Sequence, residues 1–291
     1  MTTKSLAIEM EAKNLKVSVV IPTCHRNDLL AKCLDCLAPG GQTLPADQYE
    51  VIVTDDGSRS TAEQMVAEHY PWAKWTQGPR KGPASNRNHG ARQARGNWIA
   101  FTDDDCLPDP NWLSSYVQAL KLDCLVYEGK TIAKESIPGP FWTSPINTNG
   151  GLLWSCNMMV AKSVFDALEG FDEDFPSPHM EDVDFRIRVE SRVGKARFIP
   201  GALVDHPPRR ITSYRGQAKG HLSTVYFCKK HKLSLVSVGL TFPQLLRGLP
   251  RTFRNNLQFG FLSAFQYLVT YDLPRAILLT TQLKHYARLL R

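Results

Sequence analysis

The stretch WIAFTDDD, residues 98–105, joins a short apolar run to three consecutive aspartates. A short apolar run of this kind predicts a buried strand, so the aspartates lie at its carboxyl end. Three neighbouring carboxylates repel one another unless a cation sits among them, and such oxygen ligands suit Mg²⁺ or Mn²⁺. The alternative is a solvated acidic turn, because Pro108-Asp109-Pro110 follows directly.

Strands and helices alternate around this stretch. Apolar runs predict further strands at 17–22, 49–53, 71–77 and 198–199. Helical spacing predicts helices at 28–37, 61–69, 83–94, 111–121, 163–168 and 181–193. The alternation favours an α/β fold with a mostly parallel sheet flanked by helices. Ligands of such sheets bind beyond the carboxyl ends of the strands, where the loops 23–27, 55–58, 77–83 and 103–105 should converge.

The composition is that of a globular protein, with 291 residues of which 43% are apolar and 22% charged. No apolar stretch reaches the ~18 residues of a spanning helix, and no secretory signal is recognisable, so a cytoplasmic location is expected. We expect a loose leader at 1–15, an α/β domain at 16–210 and a helical C-terminal region at 211–291.

Charge is distributed unevenly between these regions. Up to His206 there are 21 lysines and arginines against 27 acids, whereas from Pro207 there are 14 against the single acid Asp272. A basic, amphipathic tail predicts an anionic partner, and peripheral contact with the cytoplasmic face of a membrane is one interpretation. The other is packing on the body or between subunits. No nucleic-acid-binding module is recognisable, so no nucleic-acid partner is expected. The oligomeric state stays open.

Seven cysteines in a chain of this length do not predict a disulfide scaffold. Cys33 and Cys36 form a C-x-x-C pattern downstream of Cys24, but they also fit the apolar face of a helix. Core cysteines are therefore favoured over a metal or redox site.

Five segments in fixed order resemble the family 2 inverting glycosyltransferases of GT-A fold. These segments are VVIPT (19–23), VIVTDDGS (51–58), GPASNRN (82–88), FTDDD (101–105) and EDVD (181–184), with Asn86 where alanine is usual. The resemblance spans about 17–206. It implies metal-dependent transfer of a sugar from an NDP-sugar, most often UDP-linked, with Mn²⁺ or Mg²⁺. The implied acceptor is a saccharide or lipid-linked saccharide in polysaccharide or glycoconjugate synthesis.

The resemblance also implies donor-binding residues. They are Pro22, Thr23, Arg26, Asp55, Asp56, Arg80, Lys81, Gly82, Arg87, Asp103 and Asp104. Asp56 could face the base, while Asp55 could instead brace its turn. Surface solvation is the favoured alternative for Lys81.

The metal ligands implied by the resemblance are Asp103, Asp105 and His206. Which two of the three aspartates act stays open, because they are consecutive. A structural role for His206 is an equal alternative.

Asp182 is the candidate general base, because an inverting transfer needs one carboxylate to accept the proton of the acceptor hydroxyl. The alternative is that the acids at 181–184 only complement the start of their helix. Trp154, Asn157 and Glu181 are expected on the acceptor side, with core packing as the more common use of a tryptophan.

Two other classes of protein stay open. A catalytically inactive sugar-nucleotide-binding scaffold would keep the fold without turnover. A nucleotidyltransferase would need a glycine-rich phosphate loop after the first strand, and Thr23-Cys24-His25-Arg26 is not one. A dehydrogenase is disfavoured because the G-x-G-x-x-G pattern is missing.

Overall fold

The computed structural model describes the backbone of residues 17–289 and the side chains of all of these except Phe242 and 283–289. The predicted leader at 1–15 lies outside the described residues. The chain forms two compact units. The first contains 17–134, Pro145–Glu173 and Asp182–Pro207, and the second contains Glu135–Ser144, Asp174–Glu181 and the chain from Pro208. The second unit therefore includes two segments before the predicted boundary at residue 210.

A mixed sheet forms the centre of the first unit. The strands of the chain are β1 Val17–Thr23, β2 Tyr49–Asp55, β3 Ala73–Gln77, β4 Trp98–Thr102, β5 Leu107–Pro108, β6 Val126–Ile132, β7 Trp142–Thr143, β8 Asn157–Ala161, β9 Arg197–Asp205 and β10 Arg209–Arg210. Eight of them form one sheet in the order β3-β2-β1-β4-β8-β6-β9-β5.

Strands β1 to β4 are parallel, because β1 pairs with β2 and β4 and β2 pairs with β3 in that sense. Strand β8 is antiparallel to both β4 and β6. The predicted fold class, a mostly parallel mixed sheet flanked by helices, is confirmed. Its parallel half places the loops after β1, β2 and β4 at one edge.

The sequence-based assignment missed β6 and β8 and found only the start of β9. Glycine and lysine interrupt β6, and methionines dominate β8, so neither has the β-branched run that usually identifies a buried strand. Strand β9 continues past Pro200-Gly201 because its pairing with β6 shifts register between Gly129 and Lys130. This bulge takes up the residues that the sequence suggested as a turn.

The helices are α1 Asn27–Leu37, α2 Glu63–His69, α3 Pro83–Gln93, α4 Trp112–Ala119, α5 Lys162–Ala167, α6 Glu181–Arg192, α7 Tyr214–Lys230, α8 Phe242–Asn256, α9 Phe261–Tyr267 and α10 Leu273–Leu289. Helix α1 buries Leu30, Cys33, Leu34 and Leu37 against the sheet. All seven cysteines are free, and Cys33 lies in the core. Helix α3 packs so closely that a Cβ at Gly90 would lie 2.5 Å from Val20 Cγ1.

Helices α7 to α10 belong to the second unit, which has its own small apolar core. Ala218, Val225, Leu240 and Leu279 form that core. A five-residue π-helical turn, Leu268–Asp272, joins α9 to α10. Among the described residues, no helix has both the length and the apolar character needed to cross a membrane.

Candidate active site

Asp104 lies at the carboxyl end of β4 and is completely buried. Its Oδ2 accepts hydrogen bonds from the Thr23 hydroxyl at 2.7 Å and from Arg26 Nε at 3.1 Å. Burial raises the pKa of the Asp104 carboxyl to about 7, although Arg26 and Thr23 oppose the rise. The middle aspartate therefore ties the end of β1 and the start of α1 to the end of β4.

The two outer aspartates face other partners. Arg87 is buried on α3, and its Nη2 donates to Asp103 Oδ1 at 2.7 Å while its guanidinium lies over the Phe171 ring. Asp105 Oδ2 accepts from Arg26 Nη1 at 3.0 Å. Charge-assisted bonds of this kind are stronger than neutral hydrogen bonds. Residues from β1, α1, α3 and β4 thus meet at one place.

Asp105 also faces His206, with 3.4 Å between Oδ1 and Nε2. His206 Nδ1 lies 3.2 Å from the carbonyl oxygen of Pro207. Because a carbonyl only accepts, Nδ1 carries a proton, and the lone pair of a neutral imidazole is then on Nε2, towards Asp105. A carboxylate oxygen and an imidazole nitrogen are a donor pair that fits a divalent first-row cation.

Cys106 brings a third candidate atom, since ligand atoms of Asp105, Cys106 and His206 lie within 4.8 Å of one another. The sequence-based analysis did not consider Cys106, although it directly follows the aspartates. Burial raises the pKa of its thiol far above the ordinary value, and Cys156 adds to the rise. Soft thiolates select soft metals, whereas Mg²⁺ and Mn²⁺ suit carboxylates, so Asp105 and His206 fit such a cation better than Cys106 does.

The loop after β2 carries two aspartates with different surroundings. Asp55 is buried and accepts from the backbone nitrogens of Gly57 at 2.7 Å and Ala62 at 2.6 Å, and from Trp75 Nε1. Its carboxylate therefore braces the turn, which is the alternative that the sequence left open. Asp56 is only half-buried, and burial raises its pKa.

Asp56 holds the loop before α3. Its two oxygens accept from the backbone nitrogens of Arg80 at 2.9 Å and Gly82 at 3.0 Å. Arg80 and Gly82 both have positive φ, at 60° and 96°, so the loop turns sharply and exposes the side chains of Arg80 and Lys81. The Asp56 nitrogen donates to Thr23 O at 2.9 Å, which links this loop to the aspartate cluster through β1, where Pro22 is buried.

Helix α3 begins with buried polar residues that bond to neighbouring segments. Asn86 Nδ2 donates to Thr54 O at 2.8 Å, and Asn88 exchanges hydrogen bonds with the backbone of Phe171. Ser85 donates to Glu173 at 2.6 Å. These bonds fix the position of α3, and Arg87 on the same helix contacts Asp103.

Asp182 lies at the start of α6 and is half-buried. Its Oδ1 accepts from the backbone nitrogen of Val183 at 2.8 Å. Burial raises the pKa of Asp182, the Arg87 charge opposes the rise, and the Asp103 charge adds to it. The structure therefore places Asp182 within the electrostatic field of the Arg87–Asp103 pair.

The residues expected on the acceptor side have separate surroundings. Trp154 is half-buried and packs against the core, and Glu181 is buried and belongs to the second unit. Asn157 is buried on β8, where its oxygen accepts from Trp112 Nε1 and the Tyr116 hydroxyl, both at 2.8 Å. These bonds favour a bracing role for Asn157, and its contact with an acceptor stays a prediction.

Glu128 on β6 is a site-building residue that the sequence did not reveal. Its buried carboxylate accepts from the backbone nitrogens of three consecutive residues, Gly151, Leu152 and Leu153, and from the Asn147 amide. It thereby holds a loop in which Gly150, Gly151 and Leu153 have positive φ. The paired glycines were the available signal, but β6 itself had not been predicted.

The fold has counterparts among solved structures. The mannosyltransferase PcManGT from Pyrobaculum calidifontis, in complex with GDP-Man and Mn²⁺, matches with a TM-score of 0.55 at 17% identity, over 90% of this chain and 73% of that one. S. aureus TarS 1–349 in complex with UDP matches with a TM-score of 0.54 at 17% identity, over 93% and 92%. These similarities show the fold, that of the GT-A glycosyltransferases.

The sequence gives the family more directly. Residues 18–175 match the family model described as glycosyl transferase family 2, and the chain belongs to that family. The chondroitin synthase of Escherichia coli is 39% identical over 111 residues, which are 37% of this chain and 16% of that protein. The chain thus spans only a small part of that relative. The resemblance stated from the motifs is confirmed.

Proposed function

We propose that this protein is an inverting glycosyltransferase that moves a sugar from an NDP-sugar to a hydroxyl group of a saccharide acceptor. The observation that carries the proposal is that the charges of the Arg87–Asp103 pair act on the pKa of Asp182 in a family 2 fold. Structures of similar fold were solved with GDP-Man and with UDP, which supports a nucleotide-linked donor. UDP is the first candidate, and GDP is the alternative.

In this proposal Asp182 is the general base. It takes the proton of the acceptor hydroxyl while that oxygen attacks the anomeric carbon, and the bond from that carbon to the diphosphate breaks on the opposite face. A carboxylate with a raised pKa is a stronger base than an exposed aspartate. Its pKa is also closer to neutral pH, where a general base is most effective. The sugar therefore arrives with inverted configuration and the NDP leaves.

The leaving diphosphate needs positive charge. Arg87 and Arg26 stand among the aspartates, and the exposed side chains of Arg80 and Lys81 flank the neighbouring loop. Asp105 and His206 would hold Mn²⁺ or Mg²⁺, which when bound neutralises charge on the diphosphate. Asp103 is positioned by Arg87 to contact the donor, and Asp104 braces the site from inside.

The first test is Asp182→Asn. Transfer should fall by about 10³-fold because the amide cannot accept the proton, whereas NDP affinity should stay within about twofold. Radiolabelled sugar transfer measures the first quantity and calorimetric titration of UDP and GDP the second. Asp166→Asn, which removes an exposed carboxylate paired with Lys162, is the matched control. Full activity of Asp182→Asn would remove Asp182 from the base role.

For the acceptor, only the chemical class is proposed. The chondroitin synthase relative supports a saccharide, and the motif-based expectation adds a lipid-linked saccharide. Wild-type protein that binds UDP without turnover on any such acceptor would favour the inactive scaffold instead. The cytoplasmic location and the boundaries at 16–210 and 211–291 stay predictions.

A further inference from the structure

One face of the second unit exposes a row of large apolar side chains. We call this row the apolar stripe; it consists of Phe261, Leu262, Phe265, Val269, Leu273 and Ile277. Leu262 is 81% exposed and Phe261 is 64% exposed. Five of the six recur every four residues along α9, the π-turn and α10, a spacing that places side chains on one helix face.

The opposite face of the same helices is already buried. Ala264, Tyr271, Asp272, Ala276 and Leu279 have exposed fractions of 6% or less. A helix of a water-soluble fold normally turns polar residues outward when its inner face is packed. Here the inner face is packed and the stripe on the outer face is still apolar, and contiguous exposed apolar surface of that kind usually marks an interaction site.

The stripe carries almost no charge. Between Leu257 and Pro274 the only charged residue is Asp272, which is 1% exposed and accepts from Arg275 Nη2 at 2.7 Å. The outward residues between the apolar ones are uncharged, for example Gln266 and Thr270. An aqueous surface without charge over this length differs from the rest of a chain with 22% charged residues.

Three arginines lie on α8, the helix that precedes the stripe. Arg247, Arg251 and Arg254 are exposed on α8, and their spacing of four and three residues places them on one face of that helix. We call them the arginine row. Helix α8 meets α9 where the Phe253 and Phe261 rings pack edge to face at 5.9 Å. The helix that carries the arginine row therefore contacts Phe261, the first residue of the charge-free stripe.

We propose that the apolar stripe docks into the interface of an anionic lipid bilayer, with the arginine row on the lipid phosphates. Apolar side chains buried in the headgroup region and arginines at anionic headgroups are the two contributions that hold interfacial helices. A second copy of the chain is a poorer occupant. From Pro207 onward the chain has 14 lysines and arginines against one acid, so two copies would bring like charges together. The proposal does not rest on the proposed glycosyl transfer.

The experiment is flotation of the full chain with vesicles of phosphatidylcholine, alone or mixed with phosphatidylglycerol. We expect binding to the mixed vesicles that weakens as salt is raised. The double variant Leu262→Ser/Phe265→Ser should lower the partition coefficient by at least about tenfold, because two apolar side chains that would be buried in the bilayer are lost. The control Ile146→Ser/Val236→Ser removes two similarly exposed apolar side chains outside the stripe and should bind like wild type.

The charge contribution is tested separately. Arg247→Gln/Arg251→Gln/Arg254→Gln should lower binding to the mixed vesicles by about fivefold per arginine, or about 100-fold in all. The matched control Lys121→Gln/Arg192→Gln/Lys195→Gln removes the same charge from exposed positions of the first unit and should change it far less.

Two results would overturn the proposal. One is equal vesicle binding by wild type and the stripe variant, with thermal unfolding of both unchanged. The other is concentration-dependent self-association, seen by sedimentation and abolished in the stripe variant, without vesicle binding; it would assign the stripe to a second copy. Transfer to a water-soluble acceptor should be unchanged in the stripe variant, so failure of the docking proposal is distinguishable from failure of the proposed activity.

Discussion

The aspartate cluster of the first unit and the apolar stripe of the second depart from the usual distribution of side chains in opposite directions. Asp104 and Arg87 are charged and buried, whereas Leu262 and Phe265 are apolar and exposed. Burying a charged side chain costs free energy unless the charge is paired. Exposed apolar side chains are tolerated, but a large exposed apolar surface usually marks a place where a partner binds. The first region is therefore built for a site that the fold fixes, and the second for a partner outside the chain.

This difference predicts different consequences of mutation. The buried groups of the first region are tied to specific atoms, as Asp104 is to Thr23 and Arg26. Substitutions there should change activity or stability. The stripe residues are more exposed, so substitutions there should change docking and leave the fold intact.

After the loss expected for Asp182→Asn, the largest expected effect separates the roles of neighbouring aspartates. Asp105→Asn should lower transfer by at least about 100-fold and raise the Mn²⁺ concentration needed for half-maximal rate, because a charged cation ligand is lost. Asp104→Asn should lower transfer less than about tenfold, because its amide oxygen still accepts from the Thr23 hydroxyl and because Asp104 is not assigned as a cation ligand. Initial rates are measured after EDTA treatment and titration with Mn²⁺ or Mg²⁺.

The wild-type enzyme is the reference in this titration, and EDTA should stop its transfer until a divalent cation is restored. Turnover that is indifferent to EDTA would contradict the role given to Asp105 and His206. A larger loss in Asp104→Asn than in Asp105→Asn would reverse the assignment of brace and ligand.

The aspartate cluster could be predicted from the sequence because its signals are local. The apolar run at 98–101 predicts a strand, and the acids follow it directly in a family motif. The division of labour among Asp103, Asp104 and Asp105 could not be predicted, since it depends on Thr23, Arg26 and Arg87, which are distant in sequence. Consecutive residues of one type offer no local distinction.

The other half of the sheet was missed for a related reason. Strands β6 and β8 are stabilised by their neighbours in the sheet rather than by strong β-forming residues of their own. Glu128 could not be recognised while its strand was unknown. Its partners at Asn147 and Gly151–Leu153 are 19 to 25 residues away in the sequence.

Glu128→Gln tests whether that loop depends on a buried charge. The variant should lower the free energy of unfolding by about 2 kcal/mol, because one carboxylate oxygen becomes an NH₂ group facing backbone N–H donors. Urea unfolding monitored by tryptophan fluorescence measures the change. Glu68→Gln, on an exposed helix face, should cost less than about 0.5 kcal/mol. Equal stability of the two variants would show that the three backbone donors do not need the charge.

An effect of similar size, which appears only as the pH falls, concerns His221 in the second unit. Burial, together with the charges of Arg275 and His179, lowers the pKa of His221 to about 4. Between pH 6.5 and 4 the unfolded chain binds a proton at this histidine and the folded chain does not, so stability should fall as the pH falls through this window. His221→Gln should remove about 2 kcal/mol of that dependence, measured as urea unfolding at successive pH values.

The neighbouring His179 limits how much of the pH dependence His221→Gln can remove. His179 also has a pKa lowered by burial, partly offset by Glu181, so it contributes a slope of the same sign. His221→Gln should therefore reduce the pH dependence without abolishing it, whereas His69→Gln, on an exposed helix end, should leave it unchanged. Identical slopes in wild type and His221→Gln would mean that His221 takes up its proton in the folded state as readily as in the unfolded one.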